Sequence, residues 1–520
     1  MEKRSRLSYS LINSFVSTAA QIITVLIGFF LQSVFIKSLG ATYLGVKGLF
    51  SNILTVLSFT ELGIGTAITF SLYKPLAEDN KHVVSLIMHF FKRAYEIIGV
   101  VVGVLGILII PFIHLMIHKS VPHIYLFYIL YLANTVISYF YTYKRTLLNA
   151  DQKNYINQIN QITFRIIQSV LQLVVLYLFK SFLWFLIIQL ACTFISNVLI
   201  SIKVNKMYPY LLDKKLYNGK LPEYTKDEII KNTVGSVGSK IGIIVVDSTD
   251  NVLISFFKGL YWVGLYSNYM LVVNNLINVF GQALGAVTAS VGNLNAESDD
   301  RDYQYEIFNR CFYIDYFCTF VCSTCLLTLF NPFISVWVGA RYRFSFLLVF
   351  AIVINFVLKG LRQTCFSFIG AYGLYPKDGK KAVVESIINF VLSIVYIKYC
   401  NLGVLGVVLG TVSSNVLVNW YEPYMVIKYG IRLPNKLKSF FFKLLGYIGI
   451  NIVVMLIFSK YIPMIMPVHN FGELFILAII TFALTVLVFI ILFGRNKDFK
   501  ALIEMLNVFI NKLKKDKKLL

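Results

Sequence analysis

A run from Ile229 to Lys258 is apolar and long enough to cross a bilayer, yet it carries Lys240, Asp247 and Asp250 in its interior. On a helix, Lys240 and Asp247 lie two turns apart on one stripe, and Asp250 falls one turn further along. Ionisable groups near mid-membrane cost roughly 2.5–3.5 kcal/mol each on insertion scales, so such a stripe faces a bundle interior or a wet cavity rather than lipid. Three more cations stand inside apolar runs: Arg165, Lys359 and Arg362. Arg165 sits roughly 15 Å from the inner end of its run at 1.5 Å per residue, close to the midplane of a core about 30 Å thick. Lys359 and Arg362, at i and i+3, predict one cationic face at similar depth. Cations in this setting suit an anionic oxygen ligand, and an arginine can grip phosphate or carboxylate with two bonds at once. Glu61, within Glu61-Leu62-Gly63-Ile64-Gly65, together with Asp247 and Asp250, could balance the charge of an empty cavity or couple it to H⁺ or Na⁺. The alternative is that these charges form structural ion pairs, with Glu61 in a helix-packing notch.

The elements that would position these groups follow from composition. A 520-residue chain with 58% hydrophobic residues, 14% charged residues and a mean hydropathy of +0.72 is not an ordinary soluble protein. Apolar runs of about 20 residues between short polar breaks predict helices, since a barrel would show alternating segments of about 10. The reading is an all-α polytopic membrane protein with about fourteen spans: two six-helix lobes and two further C-terminal helices. The boundaries read as 1–203 for the first lobe, 204–228 for a cytoplasmic linker with Pro209, Gly219 and Pro222, and 229–425 for the second lobe. Residues 426–493 then carry the last two helices, and 494–520 form a basic amphipathic tail lying on the inner membrane surface.

The net charge of +23 would suggest nucleic acid in a soluble protein, but its distribution argues for topology. With the N-terminus inside, 35 of the 48 Lys and Arg residues fall in cytoplasmic segments. Nine fall outside, Lys37 and Lys47 among them, and the remaining four are the cations within the spans. This bias predicts both termini in the cytoplasm, no nucleic-acid partner, and contact of the basic loops with anionic lipid. The first run, Leu11 to Ile36, is too long for a signal-peptide core and is read as a retained helix.

The chain repeats itself. Phe35-Ile36-Lys37 matches Phe256-Phe257-Lys258, Pro111-Phe112-Ile113 matches Pro332-Phe333-Ile334, and Glu61 falls opposite Gln282, all at an offset of 221 residues. Leu44-Gly45 matches Val263-Gly264 with a slightly shorter turn. A duplicated unit with an even number of spans has both copies in the same orientation, as in transporters whose halves rock about a site between them.

Other chemistry is poorly served. Cys311, Cys318, Cys322 and Cys325 share a helical face, which reads as small-residue packing before it reads as a metal site. His114 and His118, at i and i+4, lack an acid or cysteine nearby in sequence. Gly373 to Lys381 has five residues between Gly373 and Gly379 and no Ser or Thr after Lys380, so it fails the phosphate-loop pattern. No cofactor is expected and no enzyme, and transport would draw on an ion gradient, the substrate's own gradient or a partner.

Several motifs resemble a known family. Phe35-Ile36-Lys37-Ser38-Leu39-Gly40, Tyr43-Leu44-Gly45-Val46, Glu61-Leu62-Gly63-Ile64-Gly65 and Ser71-Leu72-Tyr73-Lys74-Pro75-Leu76 resemble the Wzx-type polysaccharide flippases of Gram-positive capsule loci. These belong to the multidrug, oligosaccharidyl-lipid and polysaccharide (MATE/MOP) exporter superfamily. Val263-Gly264-Leu265-Tyr266-Ser267-Asn268 is similar to their turn between the seventh and eighth helices. The resemblance implies a flippase of the cell membrane that carries an undecaprenyl-pyrophosphate-linked oligosaccharide to the outer leaflet by alternating access. It also implies a polysaccharide polymerase and a chain-length regulator as partners. Arg165, Lys240, Lys359 and Arg362 would then hold the pyrophosphate or sugar. A lipid II flippase would by resemblance carry arginines in the first helix, where no basic residue lies between Arg6 and Lys37. A teichoic-type flippase fits equally, and a non-transporting scaffold of capsule assembly would need no buried cations.

Overall fold

The computed structural model describes residues 6–58, 64–117, 121–217, 248–297 and 300–499, with Gly219, Leu221, Glu223 and Lys226 between them. Glu61, Lys240, Asp247, His118 and the tail beyond 499 lie outside the described residues. Among those described there are helices and no strands, and ten helices are long and apolar enough to cross a bilayer. The protein is a multi-pass, all-α membrane protein.

The chain falls into two compact units, 1–267 and 268–520. In the first, the longer helices are α1 (Arg6–Leu57), α2 (Ile64–Ala77), α3 (Lys81–Ile109), α4 (Ile124–Ala150), α5 (Asn154–Leu178) and α6 (Phe182–Met207), with residues 248–258 also helical. α1 is two helices joined at Gly40, whose φ of 83° lies in the left-handed region that glycine reaches without steric cost. Residues 41–57 therefore resume a helix at once, and Lys47 stands two turns inside it rather than in an outer turn. α4 packs on α3 and α6, and α5 on α1 and α6.

α7 (Leu260–Glu297) begins just after Gly259, whose φ is 93°, 219 residues after Gly40. The two turns occupy the same place in the repeat. A Cβ on Gly45 would run into the Leu260 carbonyl, and one on Gly264 into that of Ala41, so these helices cross backbone to backbone.

The second unit is built on α8 (Arg301–Trp337), started by Asp300, whose side chain accepts the Tyr303 N–H at 3.0 Å. Around it stand α9 (Phe346–Gly360), α10 (Gln363–Ala371), α11 (Tyr375–Lys398), α12 (Val404–Val418), α13 (Tyr421–Met425), α14 (Leu437–Tyr461) and α15 (Phe471–Phe493). α11 and α12 form a hairpin in which Gly406 and Gly410 face the backbone of Tyr396 and Ser393, the close approach that small residues at i and i+4 permit. α14 and α15 pack directly on α8. The Tyr316 ring stacks on Tyr447 with centroids 4.0 Å apart, and Ser323 donates to Asn451 at 3.1 Å.

Candidate functional site

The first unit holds an open cavity of about 800 Å³. α5 supplies one wall, because Asn157, Gln161, Arg165, Gln168 and Gln172 recur at helical spacing and line it, while Ile159, Ile166, Val170 and Val174 on other faces are exposed as a lipid-facing surface requires. α4 adds Asn134, Ser138, Thr142, Arg145 and Asn149, again every three or four residues. α6 contributes Gln189, Thr193, Ser196 and Asn197, and α1 contributes Lys47 and Ser51. From the level of Asn154 to that of Gln172 the lining covers about 27 Å of α5, nearly the thickness of a bilayer core.

Three cations, Lys47, Arg145 and Arg165, line this cavity, and none of its lining residues is an Asp or Glu. Arg145 is held by neutral groups: Nε donates to Asn197 Oδ1 at 3.2 Å, Nη1 to Asn157 Oδ1 at 2.5 Å, and Nη2 to Asn160 Oδ1 and Ser196 Oγ at 3.1 Å each and to Asn197 Oδ1 at 2.9 Å. These amides and the hydroxyl orient the guanidinium without cancelling its charge. Arg165 has no hydrogen bond or ion pair among the described residues and lines the cavity together with Lys47. Lys47 Nζ also lies 5.8 Å from the Phe35 ring centroid. Such an array offers fixed N–H donors and positive potential to anionic oxygen, and amide pairs to sugar hydroxyls.

The other expected site residues are placed elsewhere. Asp250, buried within the first unit, receives the Tyr266 hydroxyl at 3.0 Å and does not line the cavity. Lys359 closes α9 in the second unit, and the helix breaks between it and Arg362, so the two do not share one continuous face. Arg362 sits in a cluster with Lys381, Glu385 and Glu422. Its Nε reaches Glu422 Oε2 at 2.9 Å, Nη1 reaches Glu385 at 3.1 Å and Asn415 at 3.0 Å, and Nη2 reaches Glu422 at 2.6 Å and Glu385 at 3.2 Å. All five guanidinium donors are thereby engaged. Lys381 Nζ bonds Glu385 at 2.5 Å, Glu422 at 2.8 Å and Asn419 at 3.2 Å. Two cations and two carboxylates make the cluster neutral.

No protein-family model and no curated protein matches the sequence. Solved structures do match its fold. A multidrug resistance MATE family transporter of the MOP superfamily, in an inward-facing conformation, aligns with 82% of this chain and 99% of its own at a TM-score of 0.57 and 13% identity. The fold is that of MATE and MurJ. The lipid II flippase MurJ, inward closed, aligns with 87% of this chain and 99% of its own at a TM-score of 0.56 and 16% identity. A MOP superfamily transporter from Pyrococcus furiosus, described as having a binding pocket of reverse polarity, covers 84% of this chain and 100% of its own at 0.52 and 13%.

Of the four cations expected within spans, Arg165 lines this cavity, and Lys47 and Arg145, which are not among the four, line it too. The distribution of basic residues puts Lys47 at the outer side, whereas the chain turns at Gly40 alone and Lys47 stands inside the helix that follows. Arg145, one of the basic residues counted at the cytoplasmic side, lies within α4, which continues to Ala150. The signal for both walls is the periodic Asn and Gln of 157–172 and the periodic polar residues of 134–149, which a count of charges passes over. The four cysteines of α8 are free thiols, and no group of His, Cys, Asp and Glu among the described residues is arranged to hold a metal ion.

Proposed function

We propose that this protein is a flippase that carries an undecaprenyl-pyrophosphate-linked oligosaccharide from the inner to the outer leaflet, with the head group seated in the cavity of the first unit. The observation that carries this reading is the pairing of three cations with amide-rich walls and no lining carboxylate. A pyrophosphate replaces part of its hydration by charge-assisted bonds to Lys and Arg, while Asn and Gln, each both donor and acceptor, suit sugar hydroxyls and acetamido groups. The prenyl chain stays in the bilayer, which needs no protein groove to dissolve it. A cationic drug would meet like charge in this cavity, which disfavours the export of such compounds.

The test is complementation of a strain lacking its capsule flippase by wild type and by Lys47→Ala, Arg145→Ala and Arg165→Ala, each checked for expression. Loss of surface polymer with accumulation of the lipid-linked unit inside is expected. Normal export by all three well-expressed variants overturns the proposal. The structural likeness to MurJ favours one second reading, lipid II itself as cargo. Rescue of a strain deprived of its lipid II flippase, with no rescue of the capsule strain, would decide for it.

A further inference from the structure

The cations of the cavity stand at two levels. Arg145 bonds Asn157 and Asn160 of α5, so it lies at their height, whereas Arg165 is five to eight residues further along the same helix. That spacing is roughly 8–12 Å along the axis. Lys47 and Arg165 are the other two cations of the lining. A pyrophosphate diester, with one negative charge on each phosphoryl group, matches that pair in charge. Arg145 then remains as a positive charge with no carboxylate among the lining residues to meet it. Its Nη1 donates a single bond, to Asn157, which leaves one N–H without an acceptor. Beside it Asn197, 4% exposed, has an Nδ2 that finds no acceptor either. A buried donor such as this Nδ2 is seldom left in this state unless something else fills the place.

Resting on the flippase reading, we infer that the cargo is an acidic oligosaccharide, carrying a second anionic centre on a sugar close to the pyrophosphate, and that Arg145 with Asn197 receives it. A uronic acid carboxylate or a sugar-linked phosphate or pyruvate ketal has this chemistry. A neutral repeat unit would leave the half-buried Arg145 with no carboxylate against it in the cavity, a deficit that an anionic sugar fills.

Soluble nucleotide sugars carry the same two groups and separate the two claims. Binding of inorganic pyrophosphate, UDP-glucose and UDP-glucuronic acid to the purified full-length protein in nanodiscs is measured by calorimetry. Wild type is expected to bind UDP-glucuronic acid roughly tenfold or more tightly than UDP-glucose, the ratio that one charge-assisted hydrogen bond supports. Arg145→Gln is expected to bring that ratio close to one, and Arg145→Lys to keep part of it. Because Arg145 also holds α4, α5 and α6 together, Asn197→Asp serves as the second variant. It places a carboxylate against the guanidinium and is expected to abolish the preference while retaining the side-chain volume. Equal affinity of wild type for the two nucleotide sugars overturns the inference. So does a preference that survives both Arg145→Gln and Asn197→Asp. Failure of all three probes to bind, pyrophosphate included, instead overturns the flippase reading beneath it.

Discussion

Replacing Glu422 by alanine should destabilise the second unit more than any other single loss of a charge. Glu422 is fully buried and takes bonds from Arg362 and Lys381, which are themselves 12% and 3% exposed in their side chains. With Glu385 it brings the cluster to neutrality, so Glu422→Ala leaves one buried positive charge in excess and strips two of Arg362's donors. Breaking a buried pair in this way costs about 3–5 kcal/mol. For a body of some 250 residues each kcal/mol moves the melting midpoint by about 2–4 °C, which gives a fall of roughly 6–20 °C. The readout is the midpoint of thermal aggregation in detergent, followed by fluorescence-detected gel filtration. Lys381→Met alone should also lower it, by leaving one carboxylate in excess. Lys381→Met combined with Glu422→Ala keeps Arg362 against Glu385 and restores neutrality, so the double variant should lose clearly less than the sum of the singles. Such non-additivity is the mark of groups that share one network. Equal midpoints for wild type and Glu422→Ala would refute the reasoning, as would single effects that simply add.

Gly45→Ala and Gly264→Ala should each reduce the yield of folded protein sharply, because the new Cβ meets a backbone carbonyl that cannot swing aside. Gly28→Ala, with nothing within 4 Å of its Cβ, should leave the gel-filtration profile unchanged, and a loss as large as for the other two would refute the packing argument. A membrane-impermeant maleimide should label intact protoplasts at Cys400, which is exposed in the turn after α11, and Cys400→Ser should abolish that labelling. Labelling that appears only after permeabilisation would reverse the orientation read from the basic residues.

Fold class was legible because the signal is redundant: each of many apolar runs independently calls for a bilayer-spanning helix, and the repeated motifs bind the runs into an arrangement. The site was legible only where a formal charge interrupted such a run, as at Arg165. Asn157, Gln161, Gln168 and Gln172 carry no charge, and their meaning appears only when α5 is seen with its polar face inward and its isoleucines outward. Arg362 shows the opposite limit. Its partners Glu385 and Glu422 lie 23 and 60 residues away on other helices, so no spacing on its own helix announces that its donors are already engaged. Lys47 depended on one backbone angle, since a left-handed Gly40 moves the whole of 41–57 into the helix.

The crossing near the turns is reciprocal. Ala41 meets Gly264 and Gly45 meets Leu260, and each residue of one copy has its counterpart 219 positions later in the other. Residue i on j and j on i is the pattern that a dyad imposes when two identical subunits associate. A pair of identical subunits meets such a contact with one glycine in the sequence; this single chain needs two, Gly45 and Gly264, each at a place where a single methyl group is too much.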